Sequence, residues 1–188
     1  QVNEIQGSPF QADLTFRGFR ASGLIGASQG LSVFLDGVRI NEPFGDVVNW
    51  DLVPEFALDS VSLVPGANPA FGLNTLGGSI ALTTARASQV PGLRLQASTG
   101  SFGRHRLDLS HGGRSGELEH VVTLGLFDEK GWRDESPGRL GTLSARLSRQ
   151  TSLGDVSLRL LFGRSRLVGN GLVPLDTFDA DGVRTADL

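Results

Sequence analysis

Three histidines, His105, His111 and His120, are the side chains best suited to metal chemistry in this chain. Two neighbouring strands could offer such imidazoles to a transition metal. Hairpin arithmetic argues against it. If Leu107 and Leu109 share a face with Leu118 and Val122, odd positions pair with even ones. The connection over Gly112–Gly116 is then either Arg114-Ser115 or Gly112 through Ser115. His105 falls opposite residue 122 or 124, His111 falls opposite 116 or 118, and no two histidines form a cross-strand pair. Asp176, Asp179, Asp181 and Gly182 sketch an acidic loop, but their spacing misses the calcium-hand pattern. Ser, His and Asp are all present without a Gly-x-Ser-x-Gly elbow, and the chain has no cysteine to act as nucleophile or thiolate ligand. The glycines from Gly72 to Gly78 precede a strand. No Lys-Ser or Lys-Thr follows them, and no helix opens on them, so neither phosphate-loop pattern is met. The expectation is no catalytic residue, no metal and no cofactor.

Composition points the same way. The 188 residues include 26 glycines, near 14%, about twice the ordinary share. There is no Met and no Tyr. The lack of Met, with Gln at position 1, is expected of a fragment or mature segment. No apolar run approaches the length of a membrane-spanning helix, and Gln1 to Phe10 lack the layout of a signal peptide. A membrane β-barrel stays open, because its strands are short and only alternately apolar. The formal charge of −3 conceals an asymmetry. Residues 1–86 carry four basic and eight acidic groups, and residues 87–188 carry thirteen and twelve, for nets of −4 and +1. Neither half has the basic stripe of a nucleic-acid binder.

The first half punctuates rapidly. Val33-Phe34-Leu35-Asp36-Gly37-Val38-Arg39-Ile40 is two β-rich runs joined by Asp-Gly, the dipeptide of a type I′ hairpin turn. Asp51 offers an N-cap for a short helix over Leu52–Leu58. A strand follows at Ser60–Val64, ended by Pro65-Gly66. The turn-rich patch Ala67–Asn74 leads through Gly77-Gly78 to a strand at Ser79–Thr84. Residues 1–86 thus read as a small α+β domain, a mixed sheet with short helices.

From Leu93 onward the period becomes two. Leu93, Leu95, Ala97 and Thr99 share one face. Leu107 and Leu109 follow, then Leu118, His120, Val122, Leu124 and Leu126. Leu143, Ala145 and Leu147 continue the pattern, as do Val156, Leu158, Leu160 and Phe162. The opposite face holds Arg94, Arg106, Asp108, Glu119, Arg146 and Arg159. Segments of about ten residues, tilted about 45°, span roughly 23 Å, close to the roughly 25 Å apolar band of outer-membrane barrels. A soluble antiparallel sandwich alternates too, and periodicity alone leaves both open. Thr151–Gly154 is a four-residue turn. Asp128–Gly138 is a long polar stretch containing Trp132 and Pro137, and Val168–Leu188 is irregular. Short turns at one end and long loops at the other match a barrel.

The order of these motifs resembles the TonB-dependent outer-membrane receptors, in their plug domain and first barrel strands. Phe16-Arg17-Gly18-Phe19 is similar to the family's hydrophobic-Arg-Gly signature, and Phe34 to Arg39 to its Asp-Gly hairpin. Leu58-Asp59-Ser60-Val61-Ser62-Leu63, Pro65-Gly66, Phe71-Gly72 and Gly77-Gly78-Ser79-Ile80-Ala81-Leu82 follow the family's strand, turn, aromatic-Gly and Gly-Gly strand in order. Thr99-Gly100-Ser101-Phe102-Gly103 resembles its start of barrel. Two positions depart: the family's second Glu is Ser62 here, and its Arg before the glycine is Pro65. In the family these charged plug residues contact the barrel wall.

The resemblance implies a plug over 1–86, lacking its N-terminal part, and about five strands of an incomplete transmembrane β-barrel over 87–188. It implies active uptake of a scarce nutrient across the outer membrane, such as an iron chelate, cobalamin or an oligosaccharide. The energy comes from TonB and its inner-membrane complex, whose contact segment would lie upstream of Gln1, and the barrel sits in outer-membrane lipid. Arg17, Gly18, Asp36, Gly37, Gly66, Gly72, Gly77 and Gly78 would set plug geometry, with ligand contacts on Ser22–Gly30 and Pro43–Asn49. Two other readings are a non-transporting surface-binding or adhesion β-protein and an outer-membrane enzyme. Size bears on the choice. Five strands would close to a diameter of about 11 Å, whereas 86 residues fold to about 31 Å across, and a 22-stranded barrel of about 48 Å could hold them. The complete reading frame is expected to carry a signal peptide upstream and some seventeen further alternating strands ending in an aromatic residue. Sequencing the gene tests this, and a stop codon just after Leu188 would sink it.

Overall fold

A computed structural model describes residues 1–5 and 8–169. The acidic loop at Asp176, Asp179, Asp181 and Gly182 lies outside the described residues. The first part contains two small sheets. β1 (Val2–Ile5), β2 (Ser8–Phe16) and β3 (Phe19–Ser22) form an antiparallel sheet. β4 (Leu31–Leu35), β5 (Val38–Arg39), β6 (Leu58–Pro65) and β7 (Gly78–Thr84) form a second, in the order β5-β4-β7-β6. β4 and β7 are parallel and the outer pairs antiparallel, so the sheet is mixed. Its core is Ala21, Leu31, Val33, Val48, Val53, Ile80 and Leu82. Trp50 packs against it and donates its indole N–H to the carbonyl of Ala21 at 3.1 Å.

The predicted hairpin forms at Asp36-Gly37, with φ of +50° and +85° and Leu35 paired to Val38. Arg17-Gly18 repeats it, with φ of +50° and +85° and Phe16 paired to Phe19. Two positive φ values in succession define the type I′ turn, whose twist matches that of the flanking strands. The expected helix after Asp51 is instead two single 3-10 turns, Trp50–Leu52 and Glu55–Ala57. Pro54 separates them and keeps Val53 extended at ψ 123°. Asp51 therefore lies inside the first turn and is not its N-cap.

The second part is one antiparallel meander: β8 (Gly92–Gly100), β9 (Arg104–Ser115), β10 (Leu118–Glu129), β11 (Gly138–Thr151) and β12 (Gly154–Leu167), each paired with its neighbour in sequence. The expected apolar set shares one face. Leu95, Leu109, Leu124, Leu143 and Phe162 form one cross-strand row, and Leu93, His111, Val122, Ala145 and Leu160 the next. The turn after Thr151 has the expected register, with Gln150 opposite Asp155. The polar loop is shorter than expected, because β10 continues to Glu129 and β11 starts at Gly138.

One register differs. Odd still pairs with even, but the β9–β10 turn is Gly116-Glu117, with Ser115 opposite Leu118. His105 faces Asp128 and His111 faces Val122. The cause lies in Gly112, which is a glycine of close approach and not of the turn: a Cβ there would strike the carbonyl of Val90 in the segment crossing beneath it. Gly116, at φ +61°, takes the bend. Directly opposed strand residues have Cα atoms about 4.5–5.5 Å apart, within disulfide reach. With His111→Cys, a second cysteine at Val122→Cys should crosslink under mild oxidation, while one at Leu118→Cys should stay reduced. The reverse pattern, read by non-reducing electrophoresis, would restore the shorter register.

Candidate functional site

The polar face of the second sheet does not meet solvent alone, because the first part of the chain packs against it. Asp36, on the hairpin turn, contributes a carboxylate only 4% exposed that pairs with Arg159 of β12 at 3.0 Å. It also accepts the backbone N–H of Thr84 at 2.9 Å and the Thr84 hydroxyl at 2.6 Å. Arg146, directly across from Arg159, donates to the carbonyl of Thr84 at 3.5 Å. Two strands of the wall thus hold one turn and the end of β7.

A second ionic contact lies on β9. Arg106 pairs with Glu55 of the second 3-10 turn at 3.1 Å and with its own neighbour Asp108 at 2.6 Å. Arg94 sits with its guanidinium 4.5 Å from the Phe56 ring centroid and donates to the Phe56 carbonyl at 3.3 Å. Ser165 bonds Asp51, and Phe127 meets Phe10 edge to face at 4.6 Å. Four arginines of the wall, Arg94, Arg106, Arg146 and Arg159, therefore face the acidic half of the chain. The charge asymmetry seen in composition is the complementarity of this interface. Ser62 and Pro65 lie on the exposed edge strand β6 and bring no charge to the wall. Asp36 and Glu55 supply it from elsewhere.

β4 runs from Leu31 to Leu35, so the loops meeting at Gly30 lie at the opposite end from Asp36. Ser22–Gly30 and Pro43–Asn49 do come together there. Val48 donates to the Ser22 carbonyl at 2.9 Å, and the Gln29 side chain binds Ser22 from the other side. A third segment joins them that sequence reasoning read only as turn-rich. Asn74 donates to Asp46 at 2.6 Å, and Asp46 also holds Arg39 at 2.8 Å. The backbone N–H groups of Leu76 and Gly77 both reach the Gly30 carbonyl. Gly77 is pressed on the Phe19 ring, where a side chain would not fit. Gly78 abuts the Val64 carbonyl, Gly66 donates to the Gly77 carbonyl, and Gly72 closes the 3-10 turn Pro69–Phe71. Above this lattice Ile25, Phe44 and Leu73 stand exposed, at 69%, 78% and 87%.

Two of the histidines meet although no two are directly opposed. His120 pairs with Gly113, two residues past His111, so the two imidazoles are diagonal neighbours, with Nε2 of His120 3.3 Å from Nδ1 of His111. Diagonal neighbours on one face reach each other when the side chains are long or aromatic, which a count of direct opposites overlooks. Among the described residues no group of three His, Cys, Asp or Glu could hold a metal ion.

Asp36→Asn isolates the charge of the first contact, since Asn keeps the turn geometry. Arg159 then faces Arg146 without a carboxylate. The loss should be about 2–4 kcal/mol, below the fully buried case because Arg159 stays partly in water. It would be read as a lower urea midpoint for protease access to residues 31–40 in the full-length protein. Asp59→Asn, on the exposed β6, should leave that midpoint unchanged.

Residues 1–79 match the family model for the TonB-dependent Receptor Plug Domain. The vitamin B12 transporter BtuB of Vibrio cholerae is 29% identical over 108 residues, which is 56% of this chain and 18% of that protein. The chain thus spans about a fifth of the length of these curated relatives. Among solved structures, the apoprotein of the FrpB iron transporter from Neisseria meningitidis (F5-1 variant) is similar with a TM-score of 0.63 at 18% identity, over 87% of this chain and 28% of that one. Pseudomonas aeruginosa FpvA bound to a heterologous pyoverdine gives 0.64 at 14% identity, over 87% and 21%. These likenesses establish the fold, a plug-like mixed region followed by antiparallel strands in the manner of a barrel's start. With the plug model matched at its N-terminal end and that fold continuing beyond it, the chain is similar to TonB-dependent receptors in their plug domain and first barrel strands.

Proposed function

We propose that the protein is an outer-membrane receptor that imports a scarce nutrient by TonB-energised transport, with residues 1–86 as a plug gating the lumen of a barrel that residues 87–188 begin. The observation that carries this is the two-faced sheet. One face is an exposed apolar band and the other grips an acidic domain through Asp36–Arg159 and Glu55–Arg106. Along β10 the band runs from Leu118 to Leu126, about 26 Å of strand and about 19 Å of membrane depth at a 45° tilt, which suits a bilayer's apolar core. A soluble sandwich would bury that face against a second sheet. Here Leu93, Leu95, Val156, Leu158 and Phe162 are all exposed.

In this reading the plug is held by a few polar contacts, which a pull on its N-terminal side can break one after another. Arg17, Gly18, Asp36, Gly37, Gly66, Gly72, Gly77 and Gly78 keep its turns and close approaches. The apex binds the ligand through Ser22–Gly30, Pro43–Asn49 and the neighbouring Asn68–Leu76. Its mix of exposed apolar side chains with Arg39, Asp46 and Asn74 suits a large amphiphilic chelate or corrinoid. Iron-siderophore and cobalamin carriers among the relatives fit that class. TonB and its inner-membrane complex supply the energy, and no catalytic step is required.

Uptake of chelated iron, cobalamin and oligosaccharides, compared in a deletion strain with and without the energising complex, tests the reading. One ligand class should depend on both the receptor and TonB. No difference for any of them would remove transport, and binding that survives without uptake would favour a surface-binding protein. Phe44→Asp should weaken binding of the transported ligand about tenfold or more, the scale of losing an anchoring aromatic contact, with the amount of receptor in the membrane unchanged.

A further inference from the structure

The outward face of the sheet is not apolar to its upper edge. In the row above Leu95–Phe162 stand Ala97, Leu107, Leu126, Gly141 and Arg164, and above that Thr99, His105, Asp128, Arg139 and Arg166. This edge adjoins the Lys130–Pro137 connection, the longer one, and lies opposite the two-residue turns. Three guanidiniums crowd one corner of it. Arg139 is directly opposite Arg166, and Asp128 neutralises Arg139 at 2.6 Å. Arg164 and Arg166 have no ion-pair partner among the described residues, and both are exposed. Like charges placed opposite one another in a sheet are destabilising, so this corner favours an anion.

The shape fits a lipid and not a free ion. Below the arginines the face carries a furrow of about 780 Å³. Ala97 and Gly141 leave room in its floor between the larger Leu107 and Leu126, and Arg164 and Arg166 close it above. Gly141 has only Leu126 within van der Waals reach of its missing Cβ. Beneath the furrow lies the leucine row. An anionic head meeting the arginines would thus have apolar chains continuing down the band. Arginine at the margin of the apolar zone costs little, whereas at its middle it costs about 2–4 kcal/mol.

We propose that Arg164 and Arg166, with the Gly141 furrow below them, form a site for a phosphorylated lipid of the surrounding leaflet, the phosphate taken in bidentate fashion by the guanidiniums and the acyl chains laid along Leu126 and Leu143. The proposal rests on the reading of this sheet as membrane barrel wall. Asp128 is engaged by Arg139, and among the described residues no carboxylate forms an ion pair with Arg164 or Arg166.

The test uses the full-length receptor purified in mild detergent, wild type against R164Q/R166Q, with R149Q on the opposite rim as control. Binding is measured with mixed micelles of a phosphorylated lipid, of the same lipid after dephosphorylation, and with inorganic phosphate alone. Wild type and R149Q should hold the phosphorylated lipid about thirtyfold more tightly than R164Q/R166Q, the weight of two surface arginines on anionic lipid. The dephosphorylated lipid should bind all three proteins alike and weakly. Equal binding of the phosphorylated lipid by wild type and R164Q/R166Q overturns the site. So does inorganic phosphate binding as tightly as the lipid, which makes it a simple anion site. Uptake is followed in parallel. A receptor that holds the lipid through these arginines yet moves no nutrient supports the lipid site and sinks the transport reading alone.

Discussion

A carboxylate taken out of water must find its compensation nearby, and Asp36 is where this molecule meets that demand. It is the first residue of a two-residue turn, a place where Asp is ordinarily solvated. Here it is buried against the wall, and its oxygens take the Thr84 N–H, the Thr84 hydroxyl and the Arg159 guanidinium. The turn must be tight for the carboxylate to project, which is why Gly37 follows. The β4–β7 pairing must bring Thr84 beside it, and it does so because Leu35 is registered with Leu82. Arg159 must lie on the polar face of β12, which the alternation with Leu158 and Leu160 secures. Turn chemistry, mixed-sheet register and period-two patterning converge on one atom group.

The same alternation explains how a sheet with little apolar surface toward its partner can dock at all. An interface of Arg–carboxylate pairs gains little net free energy, because desolvation offsets most of the Coulomb attraction. Its strength lies in placement. The wall offers arginines at three heights and the first part of the chain answers with Asp36, Glu55 and the Thr84 and Phe56 carbonyls, so a sliding misfit leaves buried charge unpaired. Such an interface is specific without being strongly adhesive. A domain that fits in one orientation and is held by separable polar contacts can be freed one contact at a time, whereas one held by a continuous apolar seam would resist removal.

How much of this could be read from residue order depends on whether the cause is local. The two faces of β8–β12 were legible because each strand separates two unlike environments, so every second residue reports the same fact. The Asp36-Gly37 turn was legible because two positive φ values in succession leave few residue choices. The β9–β10 register was not. Gly112 and Gly113 look like turn residues, and only the Ala87–Val90 crossing shows that Gly112 is there to let another segment pass. The charge pairing was also hidden, since Arg159 lies more than a hundred residues beyond Asp36 and nothing in either neighbourhood names the other. Asp51 has the residue type and the following apolar run of a helix cap, but Pro54 cuts that run into two single 3-10 turns.

The excess of arginine over lysine follows from what each face of the sheet asks of a cation. On the inner face the cation must reach a carboxylate, a carbonyl and at Phe56 a ring, and a planar guanidinium can serve all three where an ammonium serves one well. Arg94 takes the carbonyl and the ring of Phe56, and Arg106 spans the carboxylates of Glu55 and Asp108 at once. On the outer face the demand is different: a cation at the margin of an apolar band must keep its stem in contact with apolar neighbours while its head stays polar. Arg164, beside Gly141 and one row above Phe162, meets it. A single residue type thus joins the wall to an acidic domain on one side and marks the polar limit of the apolar band on the other, and the pleat of the strand decides which task each arginine has.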